Sequence, residues 1–168
     1  MFQESCPNLE VLDISNVHSF STKCSTISIE KFQHYCPNLR ILRAANIKFQ
    51  STISSFYTDN NVGWPLLEEL NIPFHLDYMF SVGHSDQIIE RLTKLSKNLK
   101  LLNINGSKNL TMNSILQIPT ISLQKLSISN CLKMHDTTIG KVFQKVILFS
   151  FFFPFTINHL FGFLPTVE

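Results

Sequence analysis

Aliphatic residues recur in one short pattern along most of this chain. The pattern is Leu-x-x-Leu-x-Ile, with polar or charged residues at most of the intervening positions. Its copies lie 24 to 32 residues apart, and they begin at Leu9, Leu39, Leu67, Leu99 and Leu123; the second has Ala44 in place of the isoleucine. Side chains alternate between the two faces of a strand, so each copy predicts a short β-strand with its aliphatic residues on one side.

The regular spacing of these strands predicts a repeat architecture. One strand cannot bury its aliphatic side alone, whereas stacked units form a parallel sheet over one continuous core. Parallel strands need crossover connections, and helical spacing marks candidates at residues 29–35, 85–96 and 139–146. Residues 48–63 are polar and irregular, and they predict a loop with at most a short helix. The sequence therefore predicts an α/β fold, a right-handed leucine-rich-repeat solenoid of about five repeats, with a concave parallel sheet and convex helices.

The residues between the leucines are the candidate protein-binding face. Because strand residues alternate, we expect these side chains to point to the concave surface. The candidate face comprises Glu10, Val11, Asp13, Arg40, Ile41, Arg43, Glu68, Glu69, Asn71, Lys100, Leu101, Asn103, Gln124, Lys125 and Ser127.

Two interpretations of this face stay open. Neighbouring rows lie about 4.8 Å apart, so three ion pairs are expected: Glu10–Arg40, Arg40–Glu68 and Asp13–Arg43. One interpretation is a solvated ladder of charges that neutralise one another. The other is a mixed groove for a peptide or protein, with an apolar floor made by Val11, Ile41 and Leu101.

The segments before and after the strands carry a more specific signal. Cys6-Pro7-Asn8-Leu9 opens the first copy, and Cys36-Pro37-Asn38-Leu39 opens the second. In the last copy, residues 123–139 (LQKLSISNCLKMHDTTI), Cys131 follows the strand. In these features the chain resembles the cysteine-containing leucine-rich repeats of F-box proteins, over roughly residues 2–146. It departs from the family where the equivalents of Cys131 are Val17, Ile47, His75 and Ser107.

This resemblance implies a role in protein recognition. In F-box/leucine-rich-repeat proteins, the F-box docks on the Skp adaptor of a cullin ubiquitin ligase and the solenoid selects the substrate. The chain opens directly before the first Cys-Pro-Asn-Leu, so we expect a fragment lacking the F-box. It would then be a protein-binding module of the Ubl conjugation pathway, resembling the substrate-recognition part of a Skp-cullin-F-box E3 ubiquitin ligase. Its partner would be a substrate or adaptor protein, and a Skp-cullin ligase could be reached only through an F-box absent here.

The alternative is a freestanding leucine-rich-repeat adaptor unrelated to ubiquitin, which its tail could tether to a membrane. Composition divides the chain into residues 1–146, the solenoid segment, and residues 147–168, a Phe-rich apolar tail. Eight of the 15 phenylalanines lie in the last 26 residues, and residues 146–167 carry no charge. The tail has three interpretations: a degenerate sixth repeat with strand residues Leu148, Phe151 and Phe153, a membrane segment, or an aberrant end.

The net charge and the absence of known motifs indicate which functions are not expected. The net charge is +2 and no basic block occurs, so nucleic acid is not expected as a partner. No CxxC, HxH or HExxH occurs, and no P-loop or nucleophile elbow, so we expect no metal, no cofactor, no catalytic residue and no enzyme activity. The N-terminus lacks the features of a signal peptide, which favours a location in the cytoplasm or nucleus. Cys6, Cys36 and Cys131 are expected to be small buried packing groups.

Overall fold

The computed structural model describes residues 5–17, 26–51, 63–74, 83–119, 121–129, 131 and 156–157. The strands in these ranges are β1 (Val11–Asp13), β2 (Thr26–Ser28), β3 (Ile41–Arg43), β4 (Lys48–Gln50), β5 (Glu69–Asn71), β6 (Leu101–Asn103), β7 (Lys125–Ser127) and β8 (Thr156–Ile157). The helices are α1 (Ile29–Tyr35), α2 (Asp86–Thr93) and α3 (Met112–Gln117).

Six strands form one parallel sheet in the order β1-β3-β5-β6-β7-β8. Its register places the second leucine of each Leu-x-x-Leu-x-Ile copy at one level, and these residues are Leu12, Leu42, Leu70, Leu102 and Leu126. The predicted α/β class and the parallel sheet are therefore confirmed. A second sheet consists of β2 and β4, which are also parallel.

The core lies on one side of the six-stranded sheet. The central residues of β3, β5 and β6 are fully buried, while the residues on either side of them are half-buried. The leucines that open the second, third and fourth copies, Leu39, Leu67 and Leu99, are also fully buried. Strand β1 differs because it lies at the edge of the sheet, where Leu9, Leu12 and Ile14 are only partly buried.

Turns before the strands connect each unit to its neighbour. The amide of Leu9 donates to the carbonyl of Cys6 at 3.1 Å, and the amide of Leu67 makes the same bond to Trp64 at 3.2 Å. The Asn38 side chain donates to the carbonyl of Pro7 at 2.9 Å, and Asn98 donates in the same way to Pro65 at 3.2 Å. The asparagine of the turn thus satisfies a carbonyl one unit away.

Trp64 occupies the position that cysteine holds in the first two copies. Its indole Nε1–H donates to the carbonyl of Cys36 at 2.8 Å, and its ring packs edge-on against Phe32 at 5.0 Å. Ser96, at the same position in the next copy, donates its hydroxyl to the carbonyl of Trp64 at 3.1 Å. A chain of hydrogen bonds therefore continues through the stack although the residue type changes.

Two of the helices lie where the helical spacing of apolar residues predicted them. Helix α1 coincides with the predicted segment 29–35, and α2 lies inside segment 85–96. The predicted helix at 139–146 lies outside the described residues, as do Leu148, Phe151 and Phe153 of the tail. None of the helices in the described ranges is long and apolar enough to cross a membrane.

Four elements were not predicted from the sequence, and these are strands β2, β4 and β8 and helix α3. Strand β4 lies at the start of segment 48–63, which was predicted to be a loop. It forms because Phe49 is buried and pairs with Ile27 of β2, a partner 22 residues away that local polarity does not reveal. Helix α3 is short and was not predicted; Thr111 caps it by accepting a hydrogen bond from the amide of Asn113 at 3.3 Å.

Candidate functional site

The side of the six-stranded sheet opposite the leucine core is the candidate site, and we call it the sheet face. The more exposed of its predicted residues are Glu10, Val11, Asp13, Arg40, Lys100, Gln124 and Lys125. The half-buried ones are Ile41, Arg43, Glu68, Glu69, Asn71, Leu101 and Asn103. Ser127 is buried and adds little surface.

One row of the sheet face is a ladder of alternating charges. Arg40 lies between two carboxylates, with Nη1 at 3.3 Å from Oε2 of Glu10 and Nε at 2.9 Å from Oε1 of Glu68. Lys100 continues the row, because its Nζ lies 2.6 Å from the other oxygen of Glu68. The predicted pairs Glu10–Arg40 and Arg40–Glu68 are confirmed, and Lys100 extends them to a fourth strand.

A second ion pair runs diagonally across the sheet face. The guanidinium of Arg43 contacts both oxygens of Glu69, with Nε–Oε1 at 2.7 Å and Nη2–Oε2 at 3.1 Å. The predicted Asp13–Arg43 pair is therefore wrong. The planar guanidinium matches both oxygens of one carboxylate, and Asp13 instead accepts a hydrogen bond from the amide of Ser15 at 2.9 Å.

These contacts favour the ionised forms of the groups involved. Hydrogen bonds from Lys100 and then Arg40 lower the pKa of Glu68, and those to Glu68 and then Glu10 raise the pKa of Arg40. The Ser15 amide and hydroxyl lower the pKa of Asp13, with a smaller effect from the positive charge of Arg43. The pair with Glu69 raises the pKa of Arg43. The charged forms of Glu68, Arg40, Asp13 and Arg43 are therefore stabilised.

The uncharged part of the sheet face has an apolar and an amide region. Val11 is 52% exposed and lies directly opposite the half-buried Ile41. The predicted apolar floor is interrupted by Glu69, which separates Ile41 from Leu101. Farther along the strands, the Asn103 amide nitrogen donates to the Asn71 side-chain oxygen at 3.0 Å.

The charges at the two ends of the sheet face have opposite sign. Glu10 and Asp13 lie at the β1 end, whereas Lys100 and Lys125 lie toward β7. The middle of the ladder is neutralised by its own ion pairs. Asp13 and Lys125 make no ion pair with any of the described residues.

No family model matches this chain, and no curated protein or solved structure matches it.

The described residues do not assemble a metal-binding cluster of histidine, cysteine and carboxylate groups. Two of the thiols are buried: burial raises the pKa of Cys131 to about 11, and burial followed by the neighbouring Cys6 raises that of Cys36. Both thiols are therefore protonated and weakly nucleophilic near neutral pH. Cys6 is exposed rather than buried as predicted, because it lies in the edge unit next to β1.

The buried side chain of His84 was not predicted from the sequence. His84 is 1% exposed, and its Nε2 has no hydrogen-bond partner among the described residues. Its ring lies 5.6 Å from that of Phe49 and 5.1 Å from that of Phe74. A single histidine just before a helix gives no sequence signal that its side chain is buried among aromatic rings. The residues brought together on the sheet face are suited to binding, through paired charges, amides and a small apolar patch.

Proposed function

We propose that this chain is a protein-binding leucine-rich-repeat solenoid whose sheet face is the concave recognition surface. The observation that carries the proposal is the common register of five strands, four from a Leu-x-x-Leu-x-Ile copy and one from the copy that ends in Ala44. Stacking in one register gives a continuous outward surface, as extended binding surfaces of repeat proteins require.

The partner we propose is an extended protein segment that crosses the strands. An aliphatic side chain of the segment would cover Val11 and Ile41, which are adjacent and incompletely buried. An acidic side chain would contact Lys125 at the other end of the sheet face. The paired charges between them would give specificity rather than affinity, because they already neutralise one another.

By its resemblance, this module would be the substrate-recognition part of a Skp-cullin-F-box ubiquitin ligase, acting in the cytoplasm or nucleus. The freestanding adaptor unrelated to ubiquitin uses the same sheet face and remains the second candidate. In both cases the activity is binding rather than catalysis.

Site-specific photo-crosslinking tests the binding surface. A photoreactive phenylalanine analogue is placed at Ile41 on the sheet face or at the exposed Asn113 on α3, and the chain is expressed in its native cells. We expect protein adducts from Ile41 only. Lys125→Glu should reduce them, and Lys97→Glu, the same charge change in an exposed turn away from the sheet face, should not. Equal adducts from both positions would contradict the proposal.

A second measurement separates the two candidates. The endogenous protein is captured with an antibody against residues 97–130, and its intact mass and co-purifying proteins are determined. A species with additional upstream sequence that carries Skp and cullin supports the ligase receptor. A species of 19.3 kDa that binds the crosslinked partner without Skp or cullin supports the adaptor.

A further inference from the structure

Two cysteines occupy equivalent positions in neighbouring units of the stack. Val11 and Ile41 are paired in the register of β1 and β3, and Cys6 and Cys36 precede them by the same number of residues. The two units are still paired at the level of the cysteines, because the amide of Cys6 donates to the carbonyl of Tyr35 at 2.8 Å. The backbones at Cys6 and Cys36 are therefore separated by about the distance between neighbouring strands, ~4.8 Å.

The two thiols also contact each other. Burial raises the pKa of Cys36, and the charge of Cys6 and a hydrogen bond with the Cys6 side chain raise it further. On the side of the third unit, the indole Nε1–H of Trp64 donates to the carbonyl of Cys36 at 2.8 Å. Cys131 lies against other groups, since its sulfur contacts the carbonyls of Ile104 and Ser129.

This arrangement meets the geometric requirement for a disulfide bond. The Cα atoms of disulfide-bonded cysteines lie about 4.4–6.8 Å apart, a range that includes the separation of positions in register on neighbouring strands. Both cysteines belong to the contact between the first and second units. The bond therefore does not depend on what lies on the other side of β1.

We propose that Cys6 and Cys36 form a disulfide bond when the chain meets a small disulfide oxidant such as oxidised glutathione. The bond covalently joins the first two units, including the sheet-face residues Val11 and Ile41. This modification site goes beyond the binding function proposed above, because it concerns the cohesion of the stack rather than the partner.

The reaction proceeds by two thiol–disulfide exchanges. The Cys6 thiolate attacks one sulfur of oxidised glutathione, which forms a mixed disulfide and releases a glutathione thiolate. That thiolate takes the proton of Cys36, and the Cys36 sulfur then attacks Sγ of Cys6 and expels the second glutathione. Two protein thiols are thus oxidised, and one oxidised glutathione is reduced to two glutathione molecules. Contact between the sulfurs favours the second step, because it is intramolecular.

Mass spectrometry of the full chain tests this sequence of steps. The reduced chain is incubated with oxidised glutathione at about pH 8, where thiolates are more abundant, then quenched with acid and digested. We expect the peptides of Cys6 and Cys36 to be joined. The variant Cys36→Ser lacks the second thiol, so it should retain glutathione on Cys6 at least about tenfold more than wild type does. The matched control Cys131→Ser should form the bond as wild type does.

A second variant guards against loss of folding in Cys36→Ser, whose side chain replaces a fully buried thiol. Cys6 is the exposed member of the pair, so Cys6→Ser should fold normally, as checked by the fluorescence of Trp64. We expect Cys36 to stay unmodified in Cys6→Ser. Oxidised wild type should unfold at a higher urea concentration than reduced wild type, because the bond restricts the unfolded chain, whereas Cys6→Ser should unfold alike in both buffers.

The proposal is overturned if wild type retains glutathione on Cys6 as Cys36→Ser does, or if Cys6 instead becomes joined to Cys131 or to a second chain. The endogenous protein gives a further test, after exposure of its cells to diamide and blocking of the remaining thiols with N-ethylmaleimide. We expect the joined peptides of Cys6 and Cys36 in the captured protein. Their absence, with both cysteines carrying N-ethylmaleimide, would also overturn the proposal.

Discussion

At the residue scale, the turns after β1, β3 and β6 depend on backbone conformations that few side chains adopt. Asn16 and Asn46 have φ values of 57° and 63°, and Gly106, at the equivalent position, has a φ of 75°. Each amide donates to a carbonyl of the next unit, at 2.9 Å to Ala45, 2.9 Å to Pro73 and 2.8 Å to Ser129. Asparagine tolerates this left-handed region, so the first two positions do not need glycine.

Gly106→Ala should be strongly destabilising. A Cβ at this position would lie 1.8 Å from the carbonyl oxygen of Phe74, and the backbone there cannot yield as a flexible side chain would. Together with the positive φ, this clash should cost at least about 2 kcal/mol of unfolding free energy. Urea unfolding followed by Trp64 fluorescence measures it. The control Asn46→Gly, at an equivalent turn without this requirement, should cost less than about 1 kcal/mol.

His84 should make the stability of the fold depend on pH. Desolvation lowers its pKa from 6.5 to about 4, opposed by a hydrogen bond to the Ile72 carbonyl. Its described ring neighbours, Phe49 and Phe74, are uncharged. Between pH 6.5 and 4, His84 binds a proton in the unfolded chain but not in the folded chain. The free energy of unfolding therefore falls as the pH is lowered. The loss should reach about 2 kcal/mol at pH 5 relative to pH 8.

The measurement is urea unfolding across this pH range, with His84→Phe as the comparison. Phenylalanine has no titrating proton and is compatible with the surrounding aromatic rings, so its stability should change less between pH 8 and pH 5. Parallel curves for the two proteins would show that His84 does not titrate between its folded and unfolded pKa values.

At the element scale, strands β1, β3, β5, β6 and β7 and helices α1 and α2 were predictable because their signal is local. The register of Leu42, Leu70 and Leu102 follows from the Leu-x-x-Leu-x-Ile pattern, since a slip by one residue would expose every leucine. Strand β4 was not predictable, because Phe49 acquires its partner Ile27 only in the tertiary structure. The candidate site also combines a local and a tertiary signal. Which residues lie on the sheet face follows from the alternation of side chains along a strand. Whether Arg43 pairs with Asp13 or with Glu69 depends instead on side-chain geometry in the folded protein.

Trp64→Phe tests how the units are joined at the turns before the strands. Phenylalanine can retain the ring contact with Phe32 but loses the Nε1–H that bonds to the carbonyl of Cys36 at 2.8 Å. That carbonyl lies in the interior, so losing its donor should cost about 1–3 kcal/mol of unfolding free energy. Thermal unfolding followed by circular dichroism measures the change, because the variant lacks the only tryptophan. An unchanged midpoint would show that water or a neighbouring donor replaces the indole.

At the scale of the whole molecule, the described stack is held together by contacts between neighbouring units. Each main strand bonds to the next, and the turns add bonds such as Asn38 to Pro7 over the same interval. In this sheet β1 has a described neighbouring strand on one side only, whereas β3 has one on each side. The β1 edge shows the consequence, because its leucines are partly exposed while those of β3 are buried. The molecule should therefore self-associate most readily through this edge.

The carboxylate of Glu10 should limit that association, because charged residues on an edge strand oppose pairing with another copy. Glu10→Gln removes the charge while retaining the size of the side chain, so it should lower the concentration at which the chain associates. Sedimentation velocity over a range of protein concentrations measures this, and Glu90→Gln on the exposed side of α2 is the matched control. Raising the salt concentration should bring wild type closer to Glu10→Gln, because screening weakens repulsion between exposed carboxylates. If Glu10→Gln and Glu90→Gln sediment alike, the charge of Glu10 does not govern association.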